Sequence, residues 1–337
     1  MKYFWLIPAL SSVLLLACEA PQKSEPAPSE PPAKTYLSSW NDGTVKQSIL
    51  KFVDEVSDST NPNFVPVGDR IATFDNDGTL WCERPLYFQF YFVLDQIRAQ
   101  AKDHPEWQDK QPFKDVIAGD DDAIFRYGVE GIVTLMSSAV PPKNVEDYDL
   151  MIQNWLDTAR HPTTGKAYTD MVYVPMLELL ECLRDHGFKT FIVSGGGLEF
   201  MRPWMNQVYG IPTDQVVGSY NKLEFTTENG KPVIIRQQEM DNFNDRDEKP
   251  LNIRRFIGKR PIAAFGNSDG DLSMLRYTAA GDGARLMMYV HHTDSVREWA
   301  YDRGSLVGGL DKGLDTARAK GWLVMDMDKD WNQVFPK

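Results

Sequence analysis

The sequence predicts an α/β fold, in which a Rossmann-like, doubly wound parallel sheet carries an inserted helical cap domain. From residue 171 onward, short apolar segments alternate with helical patterns, which is typical of parallel sheets. Residues 85–170 have a different character, because helical periodicity runs through most of them. The chain has 337 residues and 42% of them are hydrophobic, so it can bury a core of this size.

The first part of the folded chain is predicted to contain a helix, a strand and the cap. Residues 48–56 have the spacing of an amphipathic helix, and residues 70–74 form a short apolar strand. Within the cap, four prolines divide the helical pattern into several helices: Pro105, Pro112, Pro141 and Pro142. An aromatic cluster at residues 87–92 is either core of the cap or a platform for a substrate.

The second part is predicted to alternate helices and strands. A helix begins near Pro175 and ends at Gly187, since proline favours a first helical position and glycine a helix end. The elements after it are, in order, a strand at 189–193, a helix at 198–209, a strand around 216–217, a hairpin at 220–236 that turns at 228–230, a helix after 250, a strand at 261–265, a helix after 270 and a strand at 285–290.

The N-terminus is predicted to be a targeting segment. Lys2 precedes an apolar run that is too short to span a bilayer comfortably, and the run ends in Leu-Leu-Ala-Cys18, which resembles the lipobox of bacterial lipoproteins. The resemblance implies a signal peptide at 1–17, lipid attachment at Cys18, and a location at the bacterial cell envelope, on the outer membrane facing the periplasm. Residues 18–36 are rich in proline and would be a tether. A secretory signal with an unrelated cysteine is the alternative.

Charge and cysteine content exclude some classes of function. Lys plus Arg is 36 and Asp plus Glu is 48, so the net charge is −12 and argues against non-specific binding of nucleic acid. The sequence has no cysteine and histidine residues at the spacing of a zinc site. Cys82 and Cys182 could form a disulfide in an exported protein, and their spacing does not decide it. The oligomeric state is equally open.

Polar residues stand at the ends of the predicted strands and before one helix. In open α/β sheets, ligands bind outside the carboxyl ends of the strands, so we expect these side chains to converge. The candidates are, in chain order, Asp75 and Asp77, Ser194 and Gly195, Lys249, and Asn267, Asp269 and Asp271. His291 and His292 close a strand at the same edge, and we interpret them as structural.

These residues resemble the four motifs of the haloacid dehalogenase superfamily, in its phosphoserine-phosphatase-like branch. The resemblance runs from Ile71 to the last predicted strand. The matching segments are Asp75-x-Asp77-Gly-Thr, Ser194 after a hydrophobic strand, Lys249 before a proline, and Gly266-x-x-x-x-Asp271. Each segment alone is a weak signal, whereas four in order at the ends of the expected elements are specific.

The resemblance implies hydrolysis of a phosphate monoester through an aspartyl-phosphate. Asp75 would be the nucleophile, and Asp77 would act first as acid and then as base. Donors at Ser194 and Gly195, with the ammonium of Lys249, would bind and stabilise the phosphoryl group. The partner would be a small phosphorylated substrate, whose identity the sequence does not decide.

Magnesium is the cofactor that the resemblance implies. Its ligands would be Asp75, Asp77 through the backbone carbonyl, Asn267 and Asp271. One departure from the family pattern concerns this site, because the fourth motif usually opens Gly-Asp and here reads Gly266-Asn267. A neutral amide would then replace a carboxylate, and Asp269 or Asp271 would compensate as ligand or supporting group.

Two other functions are consistent with the same residues. In the superfamily, the acid at the position of Asp77 is typical of phosphomonoesterases and phosphomutases, so a phosphotransferase or mutase is the first alternative. A non-catalytic binding protein of the envelope is the second. A calcium loop of the EF-hand type is excluded, because Leu80 and Leu272 stand where that loop needs glycine. Arg202 could bind phosphate or pair with an acidic neighbour.

Overall fold

The structure is a computed structural model and describes residues 1–3 and 34–337. The predicted signal peptide, Cys18 and most of the tether lie outside the described residues. Tyr36–Lys337 form one compact unit. Among the described residues, no helix has the length and apolar character needed to cross a membrane.

An eight-stranded sheet forms the centre of this unit. Its strands are β1 (Ile71–Phe74), β2 (Lys143–Asn144), β3 (Lys189–Gly197), β4 (Val216–Glu228), β5 (Lys231–Asn242), β6 (Ala263–Gly266), β7 (Leu286–His291) and β8 (Leu323–Asp326). Their order in space is β2-β5-β4-β3-β1-β6-β7-β8. The six strands from β4 to β8 in this order pair in parallel, and β5 and β2 are added antiparallel at one edge. The predicted α/β class is confirmed.

The chain builds the sheet outward from β1 in both directions. Strands β3 and β4 follow on one side, and β6, β7 and β8 follow on the other. The order therefore reverses at β1, and sheets of this kind bind ligands at the carboxyl end of the strands beside such a reversal. Asp75 directly follows β1, so the sheet places it at that point.

Twelve α-helices accompany the sheet in the described part of the chain. They are α1 (Thr44–Ser57), α2 (Phe88–Gln100), α3 (Phe113–Ile117), α4 (Ala123–Arg126), α5 (Gly128–Ala139), α6 (Val145–Thr158), α7 (Val174–Asp185), α8 (Leu198–Tyr209), α9 (Glu248–Asn252), α10 (Leu272–Ala279), α11 (Lys312–Lys320) and α12 (Met327–Asp330). Helices α2–α6 and the short β2 all lie between β1 and β3, and we call this segment the insert. It packs on the rest of the unit through α6 against α8 and through β2 against β5.

Aromatic side chains of α2 anchor the insert. Phe88, Tyr91 and Phe92 are buried. The ring of Phe92 lies 5.5 Å from that of Trp155 on α6 and 5.7 Å from that of Phe200 on α8, measured between ring centroids. Pairs at this spacing stabilise beyond their buried area. Of the two interpretations of the aromatic cluster, these contacts favour a core of the insert.

Several predicted boundaries are wrong, and the reasons are physical. Strand β3 continues through the glycines to Gly197, because glycine backbone can stay extended and pairs there with Ser219 of β4. The strand predicted around 216–217 and the first strand of the predicted hairpin are one strand, β4, which pairs first with β3 and then with β5. The hairpin itself and its turn at 228–230 are confirmed. Lys249 lies inside α9 rather than before it.

Candidate active site

The loop after β1 presents Asp75 at the edge of the sheet. The backbone N–H of Asp75 donates to the carbonyl of Phe265 at 2.9 Å, which joins the ends of β1 and β6. The chain then turns tightly, because the carbonyl of Asn76 accepts the N–H of Leu80 at 2.8 Å. Gly78 in this turn has a φ of +69°, a conformation that favours glycine.

Lys249 and two carboxylates form a buried ionic cluster. The Nζ of Lys249 lies 2.8 Å from Oδ1 of Asp75 and 2.5 Å from Oδ1 of Asp271. Burial works against the ammonium, but the charges of Asp271 and Asp75 outweigh it and raise the pKa of Lys249, so this side chain stays protonated. A buried ammonium is stable only with such partners. The contacts therefore fix the carboxylate of Asp75 in one orientation.

Asp271 also organises the loop after β6. Its Oδ2 accepts the backbone N–H groups of Asn267 and Ser268, both at 3.0 Å. Gly266 makes this approach possible, because a Cβ there would lie 2.4 Å from the carboxyl carbon of Asp271. Both oxygens of Asp271 are thus engaged by protein donors, an arrangement that suits a supporting group.

Asp77 lies beside the glycines of β3. Its Oδ1 accepts from the indole N–H of Trp81 at 2.8 Å. Its Oδ2 would be 3.5 Å from a Cβ added to Gly196, and the hydroxyl oxygen of Ser194 would be 3.4 Å from the same point. Burial raises the pKa of Asp77 to about 6, although the Trp81 N–H lowers it in part. A carboxyl group with such a pKa can both donate and accept a proton near neutral pH.

The three glycines at residues 195–197 follow Ser194, and we call them the glycine segment. Three side chains hold this segment in place. Ser194 Oγ accepts the N–H of Gly196 at 3.0 Å, and Asn244 Nδ2 donates to the carbonyl of Ser194 at 2.9 Å. From the insert, Oε1 of Gln89 accepts the N–H of Gly197 at 2.8 Å. Gly195 lines a cavity next to this segment. The predicted phosphate-binding residues Ser194 and Gly195 therefore lie at the same end of the sheet as Asp75 and Asp77.

Asn267, the departure from the family pattern, has both ends of its amide engaged. Its Oδ1 accepts from the hydroxyl of Thr79 at 3.2 Å, and its Nδ2 donates to Oε1 of Glu83 at 2.7 Å. The side chain is buried. The structure thus joins Asn267 to the loop after β1, as the sequence predicted for the fourth motif.

Glu83 is a member of the site that the sequence interpretation missed. Its side chain is buried and its Oε1 also accepts from the hydroxyl of Tyr301 at 2.7 Å. Burial raises the pKa of Glu83 to about 8, opposed by the charge of His292 and the donor Tyr301. An acid six residues after Asp77, in an otherwise apolar run, has no distinctive spacing, and Tyr301 belongs to a loop far along the chain. No pattern in the sequence connects the two.

Asp269 is not part of the site. Its Oδ1 accepts the backbone N–H groups of Asp311 and Gly313 at 2.9 and 2.7 Å, and its Oδ2 accepts that of Lys312 at 3.1 Å. The carboxylate thus holds the start of α11. Of the two acids that could compensate for Asn267, only Asp271 contacts the cluster.

Other candidates have structural contacts. His292 Nε2 lies 2.8 Å from the carbonyl of Gly78, and His291 Nδ1 lies 2.7 Å from Oδ1 of Asp326, in line with the structural interpretation. Arg202 donates to the carbonyl of Thr213. Cys82 and Cys182 are both buried.

A cavity of about 300 Å³ lies between the insert and the glycine end of β3. Its walls are mostly apolar, with Val93 of α2, Met136 of α5 and Phe200 of α8 among them, and Glu199 and Arg236 add charged groups. Gly195 and Gly197 form one side, so the cavity borders the predicted phosphate-binding segment.

The residues at the site fit a magnesium ion by the chemistry of their donors. Oδ2 of Asp75 accepts no hydrogen bond from the part of the chain that the structure describes, and Oδ1 of Asn267 accepts one. Magnesium prefers such oxygen ligands and retains waters beside them. No set of three or more His, Cys, Asp and Glu side chains among the described residues is arranged to hold a metal by itself. The fit therefore depends on amide and carbonyl oxygens as well.

Comparison with known proteins identifies the family. A family model described as haloacid dehalogenase-like hydrolase matches residues 72–276, more than half of the chain. The chain belongs to the haloacid dehalogenase-like hydrolases. The matched span of this hydrolase contains Asp75, Ser194, Lys249 and Asp271. Among curated proteins, none matches the chain.

One solved structure resembles the hydrolase in fold, and two others match it with lower TM-scores. A functionally unknown protein from Anaerococcus prevotii is 14% identical with a TM-score of 0.53, and the match covers 86% of this chain and 94% of that one. A protein of unknown function from Bordetella pertussis is 13% identical with a TM-score of 0.47, and the match covers 77% of this chain and 99% of that one. A phosphoserine phosphohydrolase-like protein from Francisella tularensis is 15% identical with a TM-score of 0.36, and the match covers 66% of this chain and 87% of that one. The first match supports the fold over most of the chain.

The role of Asp269 in this hydrolase can be tested by Asp269→Ala. We expect the free energy of unfolding to fall by about 1–3 kcal/mol, because three backbone N–H groups lose their acceptor. The affinity for Mg²⁺ should be unchanged. Urea unfolding and calorimetric titration with Mg²⁺ measure the two quantities. A loss of Mg²⁺ affinity in a folded variant would contradict the assignment.

Proposed function

We propose that this hydrolase cleaves phosphate monoesters in a Mg²⁺-dependent reaction through an aspartyl-phosphate on Asp75. The observation that carries the proposal is the ionic cluster of Asp75, Lys249 and Asp271, which holds one carboxylate in place at the end of β1 while Asp77 stands beside the glycine segment. A fixed carboxylate with a neighbouring acid supports nucleophilic attack on phosphorus followed by protonation of the leaving group.

In the first step, an oxygen of Asp75 attacks phosphorus and the bond from phosphorus to the alcohol oxygen breaks. Asp77 gives its proton to the departing alkoxide, which leaves as the alcohol. The pKa of Asp77, raised by burial to about 6, leaves part of the population protonated near neutral pH. Lys249 and donors at Ser194 and Gly195 stabilise the negative charge on the phosphoryl oxygens.

In the second step, water attacks phosphorus and the bond from phosphorus to Asp75 breaks. Asp77, now a carboxylate, accepts the proton of that water, so both side chains return to their starting states. Inorganic phosphate is the product. Because the alcohol has already left, its identity affects the first step alone.

Magnesium would be held by Asp75, by the backbone carbonyl of Asp77 and by Asn267, with Asp271 in support. Bound there, it would neutralise the repulsion between the carboxylates and the phosphate. Asp75, Asp77, Glu83 and Asp271 are four acids near one ammonium, that of Lys249. This excess of acids supports the presence of a cation.

The cavity beside Gly195 suits the alcohol part of the substrate. Its volume of about 300 Å³ and its mostly apolar walls favour an alcohol with a bulky apolar portion. Glu199 and Arg236 would face polar groups of that alcohol. We place specificity in the insert and the β4–β5 hairpin, which supply most of the cavity walls.

The location at the cell envelope remains a proposal from the sequence. A lipid on Cys18 and the proline-rich residues after it would hold the hydrolase beside the membrane, in water. We expect Cys18→Ser to move the protein from the membrane fraction to the soluble fraction, with activity retained. Membrane association of this variant equal to that of the wild type would contradict the anchor.

Substitution of the two catalytic acids tests the mechanism. We expect Asp75→Asn to reduce phosphate release from an aryl phosphate to the level without protein, because an amide cannot form the intermediate. Asp77→Asn should lower steady-state turnover by about 10²- to 10⁴-fold. With nitrophenyl phosphate it should still release about one nitrophenolate per enzyme in a burst, since this leaving group needs no proton.

Asp69→Asn is the control, because this exposed acid pairs with Lys259 at the surface. Full activity of Asp75→Asn would overturn the mechanism. Transfer of the phosphoryl group to an added alcohol, in place of phosphate release, would favour the phosphotransferase alternative. Absence of turnover on every phosphate ester in the presence of Mg²⁺ would favour a binding protein.

Filling the cavity tests where the alcohol binds. We expect Met136→Trp to raise the KM for bulky aryl phosphates by about 10-fold or more, because the indole takes the space of the alcohol. The KM for a small alkyl phosphate should change little. Leu150→Trp, at an exposed position of the same insert, is the matched control. Equal effects of Met136→Trp on large and small substrates would contradict this placement.

A further inference from the structure

We infer that Glu83 is a positioning residue of the metal site and that it places, one hydrogen bond away, the negative charge that Asn267 lacks. The inference rests on the proposed function, since it takes a divalent cation beside Asp75 as given. It assigns a role to a residue outside the four motifs.

The fold makes room for Glu83 in two places. A Cβ on Gly78 would lie 2.4 Å from Oε1 of Glu83, and a Cβ on Gly308 would lie 1.8 Å from it. Both glycines have positive φ, +69° and +63°. Two loops that are distant in the sequence thus each have a glycine where any larger residue would overlap the carboxylate of Glu83. Such close packing holds the group in a single position.

Hydrogen bonds determine which way the amide of Asn267 faces. With a cation bound beside Asp75, Glu83 would be ionised, and an ionised carboxylate only accepts. It then receives the Nδ2 end of the amide, which lies 2.7 Å from Oε1. The Oδ1 end is then turned toward Thr79, whose hydroxyl donates to it at 3.2 Å. Amide oxygen has two lone pairs, so one stays available for a cation. Glu83 therefore presents Asn267 with its oxygen toward the metal site.

The same contact supplies charge. A hydrogen bond to an ionised acceptor is stronger than a neutral one and polarises the donor group. Here the polarised group is the ligand amide, and its oxygen becomes more negative. Groups that support metal ligands in this way commonly change metal affinity when they are replaced. Tyr301 donates to the same oxygen of Glu83 at 2.7 Å and keeps the carboxylate from turning away.

The neighbours of Tyr301 hold it in place. Its ring stacks on that of His292 with centroids 4.3 Å apart, and the guanidinium of Arg84 lies 4.0 Å from its centroid on the ring face. His292 in turn contacts the carbonyl of Gly78. The contacts lead from the β7–α11 loop back to the loop after β1, so Glu83 connects the two loops at the metal site.

The test exchanges the charge between the two residues. Glu83→Gln keeps the size of the side chain and removes the charge. Asn267→Asp adds a charge next to Glu83, and the double variant Glu83→Gln with Asn267→Asp moves the charge from one position to the other. Glu178→Gln is the matched control, because Glu178 accepts hydrogen bonds from Ser38 and Ser39 away from the site. MgCl₂ titrated into the full chain by calorimetry gives the Kd, and unfolding with and without Mg²⁺ gives a second measure.

We expect Glu83→Gln to raise the Kd for Mg²⁺ by about 10- to 100-fold. Asn267→Asp alone should unfold at a lower temperature than the wild type without Mg²⁺, because two carboxylates then face each other. The double variant should recover a Kd within about threefold of the wild type, as expected for a coupled pair. Glu178→Gln should leave the Kd unchanged.

A Kd for Glu83→Gln equal to that of the wild type would overturn the inference, and so would a double variant that binds no better than Glu83→Gln. If Glu83→Gln does not fold, the double variant decides alone. A folded double variant that binds Mg²⁺ supports the inference, and a double variant that does not fold or does not bind Mg²⁺ overturns it. Asp75→Asn separates the two proposals. If it abolishes Mg²⁺ binding while Glu83→Gln does not, the inference fails and the metal site stands. If the wild type binds no Mg²⁺, both fail.

Discussion

The ammonium of Lys249 between Asp75 and Asp271 is the interaction on which the rest of the site depends. A buried ammonium with no partner would be strongly destabilising, so α9, the end of β1 and the loop after β6 must come together around it. Once they do, Asp75 points in one direction, and Asp271 has one oxygen left for the backbone of Asn267 and Ser268. One contact therefore fixes both the proposed nucleophile and the loop that would support the proposed metal site.

Glycine at three positions is the second constraint on the site. Gly78, Gly266 and Gly308 each stand where a Cβ would lie within about 2.5 Å of a carboxyl group. The acids of the site are close to one another because these loops approach without side chains between them. Their burial raises the pKa of Asp75 and Glu83 to about 8, with the charge of Asp271 adding to the effect on Asp75. A cation that compensates for this excess of acids would allow Asp75 and Glu83 to ionise.

The sequence predicts the parts of the site that follow from periodicity and from strand ends. Asp75, Ser194 and Asn267 could be placed because each comes directly after or within a recognisable apolar strand. Glu83 and Tyr301 could not, since their contact joins positions more than 200 residues apart and neither stands in a pattern. Asp269 shows the opposite case. Its position in the fourth motif suggested a role at the metal site, whereas its carboxylate accepts backbone hydrogen bonds at the start of α11. Strand β8 and α11 were missed because their apolar patterns are short and weak.

In the proposed function, chemistry and specificity lie on different parts of the molecule. The acids come from loops at the end of the sheet and Lys249 comes from α9. Backbone pairing and buried ion pairs leave these residues little freedom. The cavity walls come largely from the insert and the hairpin, whose contacts with the sheet are side-chain packing such as that of Phe92 on Phe200. Packed apolar walls tolerate substitution better than a buried charge that loses its partner. Changes in the cavity should therefore alter which alcohol is accepted, whereas changes around Lys249 should alter whether any ester is cleaved.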